Sequence, residues 1–233
     1  MSRIETKFDI IRFTPDGKQY YPASMEHEDW MPDNYVKHTE MDIALGQSRY
    51  GGPVIDLPEG VEHPQELRFA GQLDLAKFSP FDASGLLPKT GQLIFFANLL
   101  TDTGKVIYAD VPNERLIRTV REHEDNFFSG VLVDNIFAET ETLAERFRED
   151  SDEEDGQSWD YFAGTEKSKI FGIYTYCQYE QKEIEEMAFS EMVLLLQVGE
   201  AGFNDDGVFS VTIPKDDLKN LVFDRCEFAW GQS

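Results

Sequence analysis

The side chains from which chemistry could be built are four histidines, two cysteines, 45 carboxylates and three glutamines set in strand-like apolar surroundings. Nucleophilic catalysis finds no template among them. There is no Gly-x-Ser-x-Gly elbow, and Cys177 and Cys226 stand among aromatic, strand-forming residues, where a cysteine is ordinarily inert packing. His27, His38, His63 and His123 are isolated, without His-Glu-x-x-His or Cys-x-x-Cys spacing, so no metal ligand set is expected. His123 lies between Glu122 and Glu124, which favours its protonated form. The acidic run from Asp150 fails the calcium-loop template. With Gly156 sixth, Phe162 falls twelfth, where a bidentate glutamate is required. Gly207 fails in the same way, because Ile213 would be twelfth. Gly51-Gly52-Pro53 has neither the lysine of a P-loop nor G-x-G-x-x-G spacing, so no nucleotide and no other cofactor is expected. Nothing selects an acid–base pair among the 45 carboxylates, and the catalytic set is left empty.

Gln72, Gln178 and Gln197 remain. Gln72 and Gln197 interrupt apolar strand patterns, and a buried amide must find hydrogen-bond partners. One reading has each glutamine tying a neighbouring loop to its sheet. The other has the three lining a polar binding cleft.

The elements that would position them are mostly strands. Glu66 to Leu75 alternates at Leu67, Phe69, Gly71, Leu73 and Leu75, the period of a half-buried strand. Gln92 to Asn98 and Lys105 to Asp110 read as two more. At the start, Thr6 to Phe13 and Lys18 to Tyr21 flank Pro15-Asp16-Gly17, which predicts a hairpin. Residues 50–60 carry two prolines and paired glycines, which predict a shaped loop. Asn113 to Asp125 and Ala138 to Arg148 lack internal proline and glycine and predict helices. Nine acids and two arginines between Glu139 and Asp155 mark an acidic helix or linker.

Beyond that linker the pattern restarts. Glu191 to Glu200 matches Glu66 to Leu75 in length, with glutamine seventh in each, and Gly207 to Ile213 matches Gly91 to Ala97. Lys169 to Gln178 stands where the Gly51-Gly52-Pro53 loop stands in the first copy. The expected fold is therefore α+β and β-rich, with two divergent copies of a β-sheet unit and a few helices between them. As one domain, 1–233 divides into an extension (1–47), a first β repeat (48–138), the acidic segment (139–168) and a second β repeat (169–233).

Charge narrows the partners. With 21 basic and 45 acidic residues the formal net charge is −24. Such a field repels nucleic-acid phosphates and anionic membrane surfaces and attracts basic partners. Neither a signal-peptide pattern nor an apolar run near the ~18 residues needed to span a bilayer is legible, so a cytoplasmic location is expected.

Gly51-Gly52-Pro53, Leu57-Pro58-Glu59-Gly60, Pro64, Leu67-x-Phe69-x-x-Gln72-Leu73-Asp74-Leu75 and Leu87-Pro88-x-x-Gly91-x-Leu93-x-Phe95-Phe96 follow one another in order. Later come Leu194-Leu195-Leu196-Gln197-Val198, Asp206-Gly207, Ile213-Pro214-Lys215-Asp216-Asp217-Leu218 and Phe223-Asp224. This ordered set, over about residues 48–230, resembles the YwqG-like (DUF1963) family of bacterial proteins. The resemblance implies a β-rich α+β fold with an internal pseudo-repeat, and it brings no catalytic residues. The chain departs from the family at His63, where tryptophan is usual, and at Phe171-Gly172-Ile173-Tyr174, a degraded second Gly-Gly-x-Pro loop.

Three functional readings stand. The leading one is a non-catalytic protein-binding module, an inhibitor or immunity-type protein for a basic partner. The alternative is an enzyme or small-molecule binder with a cleft between the two β repeats near Gln72, Gln178 and Gln197. The third is a scaffold that dimerises through sheet edges. The oligomeric state is left open.

Overall fold

Aromatic and β-branched residues at alternating positions build thirteen strands, and no helix exceeds the eight residues of Gln181–Ala188 among the described residues. The computed structural model describes residues 3–26, 31, 33–122, 129–146, 167–174, 179–199 and 207–232. In chain order the first half comprises β1 (Lys7–Tyr21), β2 (Tyr35–Lys37), β3 (Arg49–Tyr50), β4 (Val54–Pro58), β5 (Arg68–Asp74) and a single-turn helix α1 (Leu75–Phe78). Then come β6 (Gln92–Asn98), β7 (Thr103–Ala109), β8 (Leu116–Val120), β9 (Gly130–Thr142) and α2 (Leu143–Arg146). The second half holds β10 (Lys169–Ile170), α3 (Gln181–Ala188), β11 (Met192–Val198), β12 (Gly207–Pro214), α4 (Lys215–Lys219) and β13 (Glu227–Gln232).

All but two of these strands form one path, in the order β13-β12-β11-β10-β1-β9-β3-β5-β6-β7, with β2 added beside β1. Every pairing is antiparallel except β1 with β2. The remaining two, β4 and β8, pair as a separate ribbon. The path curls until its ends meet. Phe228 of β13 lies against Gly104 of β7, and the Tyr108 and Phe223 rings are 6.3 Å apart. One apolar core therefore draws on both halves, joining Phe13, Tyr50, Leu73 and Phe95 to Leu195, Phe209, Val211 and Phe228. Outside this core, the first half carries a second layer in which β4 covers Phe69, Ile94 and Phe96 with Ile55 and Leu57. In the second half Leu143, Ile173 and Ile184 form the outer cluster.

Four sequence expectations change. Residues 50–60, expected as a shaped loop, hold the strand β4 (Val54–Pro58), because Val54 and Ile55 favour the extended form and β8 pairs with it along its whole length. The hairpin at the N-terminus is one continuous strand, because both arms of β1 pair with β9: Thr14 lies opposite Asn135 and Gln19 opposite Val131. Pro15-Asp16-Gly17 is a bulge in it, closed by the Lys18 amide donating to Asp16 at 2.9 Å, with Gly17 at φ +84°. The helix expected from Asn113 to Asp125 is a short 3-10 turn, Asn113–Arg115, followed by β8. Ile117, Thr119 and Val120 favour the extended form, and pairing with β4 decides it. The helix expected from Ala138 to Arg148 reduces to α2 at the end of β9. Of the acidic segment 139–168, residues 147–166 lie outside the described residues. The remaining expected strands appear within two residues of their sequence limits. In the segment 169–178, set against the Gly51-Gly52-Pro53 loop, Lys169–Ile170 is β10 and residues 175–178 lie outside the described residues.

The segment before residue 48 is not an appendage. β1 occupies the middle of the sheet, with β9 on one edge and β10 on the other.

Candidate functional site

Alternation places Gln72 on the side of β5 opposite Leu73. Leu73 points into the shared core, so Gln72 faces the outer layer, where it is fully buried. Its register partner on β3 is Arg49, a buried arginine in the strand that leads into the Gly51-Gly52-Pro53 loop. A buried guanidinium must be both neutralised and hydrogen-bonded. Arg49 is: Nη2 lies 3.0 Å from Asp56 Oδ2 and donates to Gln72 Oε1 at 3.0 Å, while Nε donates to the Val54 carbonyl and Nη1 to the Gln47 carbonyl.

Asp56, midway along β4, also accepts both Nε and Nη2 of Arg118 from β8, at 2.8 and 2.9 Å, and the amide of Gly46. Arg118 in turn donates to the Ile43 and Ala44 carbonyls. On the other side Gln72 Nε2 donates to Gln92 Oε1 at 3.2 Å, Gln92 to Asn113 Oδ1 at 2.7 Å, and Asn113 to Asp74 Oδ2 at 3.3 Å. Seven side chains thus form one polar line between sheet and ribbon, from half-exposed Arg118 to half-buried Asn113 and buried Asp74. Burial pushes the Asp56 carboxyl up, but the Arg118 hydrogen bonds, the charge of Arg49 and the Gly46 amide outweigh it and hold it below the ordinary carboxylate range.

The second half repeats the geometry with other residues. Lys169 and Gln197 are register partners on β10 and β11, as Arg49 and Gln72 are on β3 and β5. Each glutamine strand carries an irregularity two residues earlier, at Ala70 and at Leu195. After each cation the chain takes two consecutive left-handed residues, Gly51 and Gly52 at +64° and +79°, Phe171 and Gly172 at +66° and +82°. The first of each pair donates its amide to the glutamine strand, to the Ala70 carbonyl at 2.9 Å and the Leu194 carbonyl at 2.7 Å. Lys169, fully buried, pairs with Glu141 of β9 at 2.6 Å and donates to the Ile173 carbonyl at 2.9 Å. Glu141 also accepts the Ile173 amide. Gln197 donates to the Lys167 carbonyl at 2.7 Å.

Gln72 and Gln197 therefore sit in separate outer-layer networks, five strand steps apart along the sheet path. Gln178, like Cys177, His27 and His123, lies outside the described residues. Sequence reasoning missed Arg49, Asp56, Glu141 and Lys169. The usable signal was an ionic residue inside an apolar run, as in Val54-Ile55-Asp56-Leu57, because such a residue is buried only with a partner.

The loop after Arg49 is tightly held. Gly52 is buried, and a Cβ there would meet the Tyr20 ring and the Gly130 backbone. Gly52→Ala is expected to lose about 2–5 kcal/mol, the sum of left-handed strain and overpacking. Gly17→Ala, left-handed but in open space, is expected to lose only the strain, about 1–2 kcal/mol. Urea denaturation of both variants measures the difference.

Elsewhere, His38 Nε2 is 2.6 Å from Glu122 Oε1. The His63 ring stands edge-on to Phe96 at 5.0 Å. Burial, then the charges of Asp217 and Asp224, push the Cys226 thiol up to about 12. In a Cys177→Ser background Cys226 is expected to react with a thiol reagent at pH 8 far more slowly folded than in urea. No group of three or more potential metal ligands occurs among the described residues, and no helix there is long and apolar enough to cross a membrane.

Residues 48–231 match the family described as Domain of unknown function (DUF1963). The chain belongs to that family. The match takes in both cation–glutamine units and begins one residue before Arg49, so the DUF1963 segment contains the whole polar line except the Ile43, Ala44, Gly46 and Gln47 backbone groups that complete it. No curated protein matches the chain.

Proposed function

We propose that this DUF1963 protein is a non-catalytic, cytoplasmic protein-binding module whose partner is basic. The observation that carries the reading is where its charge lies. The polar groups inside the fold are committed to one another: among the described residues the buried carboxylates are Asp56, Asp74, Glu141 and Asp217, and the buried cations are Arg49 and Lys169. Asp56 and Glu141 neutralise those two cations, and Asp217 pairs with Arg225. The formal charge of −24 is thus not balanced from within, and an unbalanced field of that sign steers a cationic surface towards the protein.

The same commitments favour a tie-down role for the glutamines over ligand contact. Both ends of the Gln72 amide are bonded within the protein. In this reading the two halves are divergent copies, supported by the matched cation–glutamine register, strand irregularity and left-handed pair. The carboxylate neutralising the cation comes from β4 in one half and from β9 in the other.

The test is kinetic. A protein captured from native extract is purified, and its association with this chain is measured across a salt series. A basic partner whose association rate falls steeply with ionic strength is expected. A flat salt response overturns the reading.

A further inference from the structure

We propose that residues 7–21 are a docking strand, and that the gap between β9 and β10 is a strand-acceptor groove which this segment fills in cis. Among the described residues β1 is the one strand whose backbone pairing joins two half-sheets, β9-β3-β5-β6-β7 on one side and β10-β11-β12-β13 on the other; the side-chain pair Lys169–Glu141 also bridges β10 and β9. Along one edge it pairs with β9 from Lys7 opposite Thr142 to Tyr20 opposite Gly130. Along the other it pairs with β10 through Ile11 and Arg12, and the Phe13 amide donates to the Ser168 carbonyl.

Both faces of β1 are covered as well over its buried positions, Ile10, Ile11, Phe13, Tyr20 and Tyr21. Ile11 and Phe13 enter the core shared by the two halves, Ile10 and Tyr20 enter the outer layer, and none is more than 1% exposed. Covered edges and covered faces are the contacts of an extended peptide that completes a sheet: ladder bonds supply affinity, and pockets for alternate side chains supply specificity.

The strand is nonetheless separate from the unit it completes. It lies wholly outside the family match, which begins at residue 48. Between Tyr21 and β3 the connection includes β2, which pairs with β1 itself, and one 3-10 turn, His38–Glu40. A tether of that length, flexible in the limit, spans roughly 5–6 Å times the square root of its residue number. That keeps the strand near millimolar effective concentration at its groove. Cis filling is the expected resting state, and what the groove recognises is an extended segment with apolar side chains on both faces, in the pattern Ile10-Ile11-x-Phe13.

The full-length protein with a site-specific protease sequence inserted between residues 27 and 30 tests this. After cleavage of the folded protein, the N-terminal fragment is expected to co-elute with the remainder and to separate only in denaturant. The cut protein is then refolded from urea with a molar excess of a labelled synthetic peptide of residues 3–26. Most of the refolded protein is expected to carry the label, whereas peptide with Ile11→Asp and Phe13→Asp is excluded. The uncut insertion protein, refolded in the same mixture, is expected to exclude label because its own strand is tethered. Loss of the fragment on cleavage overturns the proposal. So does refolding of the uncut protein without uptake of label by the cut one.

Discussion

Replacing Asp56 with alanine is expected to lower the stability of the fold by about 3–5 kcal/mol, the usual consequence of leaving a buried charge without its partner. Asp56 is fully buried between two arginines, and removing it strands Arg49, which is also fully buried. Total stability of a domain is only about 5–15 kcal/mol, so this variant should unfold at much lower urea and show a wholly or partly unfolded population when warmed. Arg118→Ala should be milder, because its side chain is 31% exposed and Asp56 keeps Arg49 and the Gly46 amide.

The same carboxylate sets an acid limit. Its folded pKa is depressed below the ordinary value, and the unfolded carboxyl titrates near 3.9. Its contribution is therefore complete above the unfolded value and is lost as the pH falls through the folded one. Asp56→Asn, measured by urea titration between neutral pH and the acid range, should show a smaller loss on acidification than the parent. An unchanged acid slope would assign the acid sensitivity to other carboxylates.

Glu141→Ala should be comparably damaging in the second half, about 3–5 kcal/mol, because Lys169 is fully buried and Glu141 neutralises it at 2.6 Å. Charge and shape separate in the double variant. Lys169→Met with Glu141→Leu removes both ions and leaves apolar side chains of similar length. It also leaves the Ile173 amide and carbonyl, which Glu141 and Lys169 now engage. The double variant is expected to be more stable than Glu141→Ala alone, with a coupling of about 2–3 kcal/mol in the double-mutant cycle. Purely additive losses would show that packing rather than charge is at stake there.

These two networks mark the limit of what sequence reading reached. The strands were legible because burial of one or both faces imposes a period that survives in a single sequence, as in Glu66–Leu75 and Gln92–Asn98. The family was legible because its glycines, prolines and glutamines come in a fixed order. Where burial and local preference disagreed, tertiary contacts decided. Leu116-Ile117-Arg118-Thr119-Val120 carries no strict alternation and became a strand because β4 offered it a ladder and Asp56 a partner for Arg118. Pro15-Asp16-Gly17 has the residues of a turn but does not reverse the chain, since β9 is long enough to pair with both arms.

By itself the sequence determined the β-rich class, most strand limits, the charge of −24 and the glutamines as polar residues needing partners. Only the tertiary structure decided which partners those were, that Arg49 and Lys169 are buried, and that β1 closes the sheet. The reason is physical. Strand periodicity is written within a few neighbouring residues, whereas the pairing of a buried ion joins residues far apart in the chain, such as Asp56 and Arg118 or Glu141 and Lys169. No local pattern encodes which carboxylate will meet which cation.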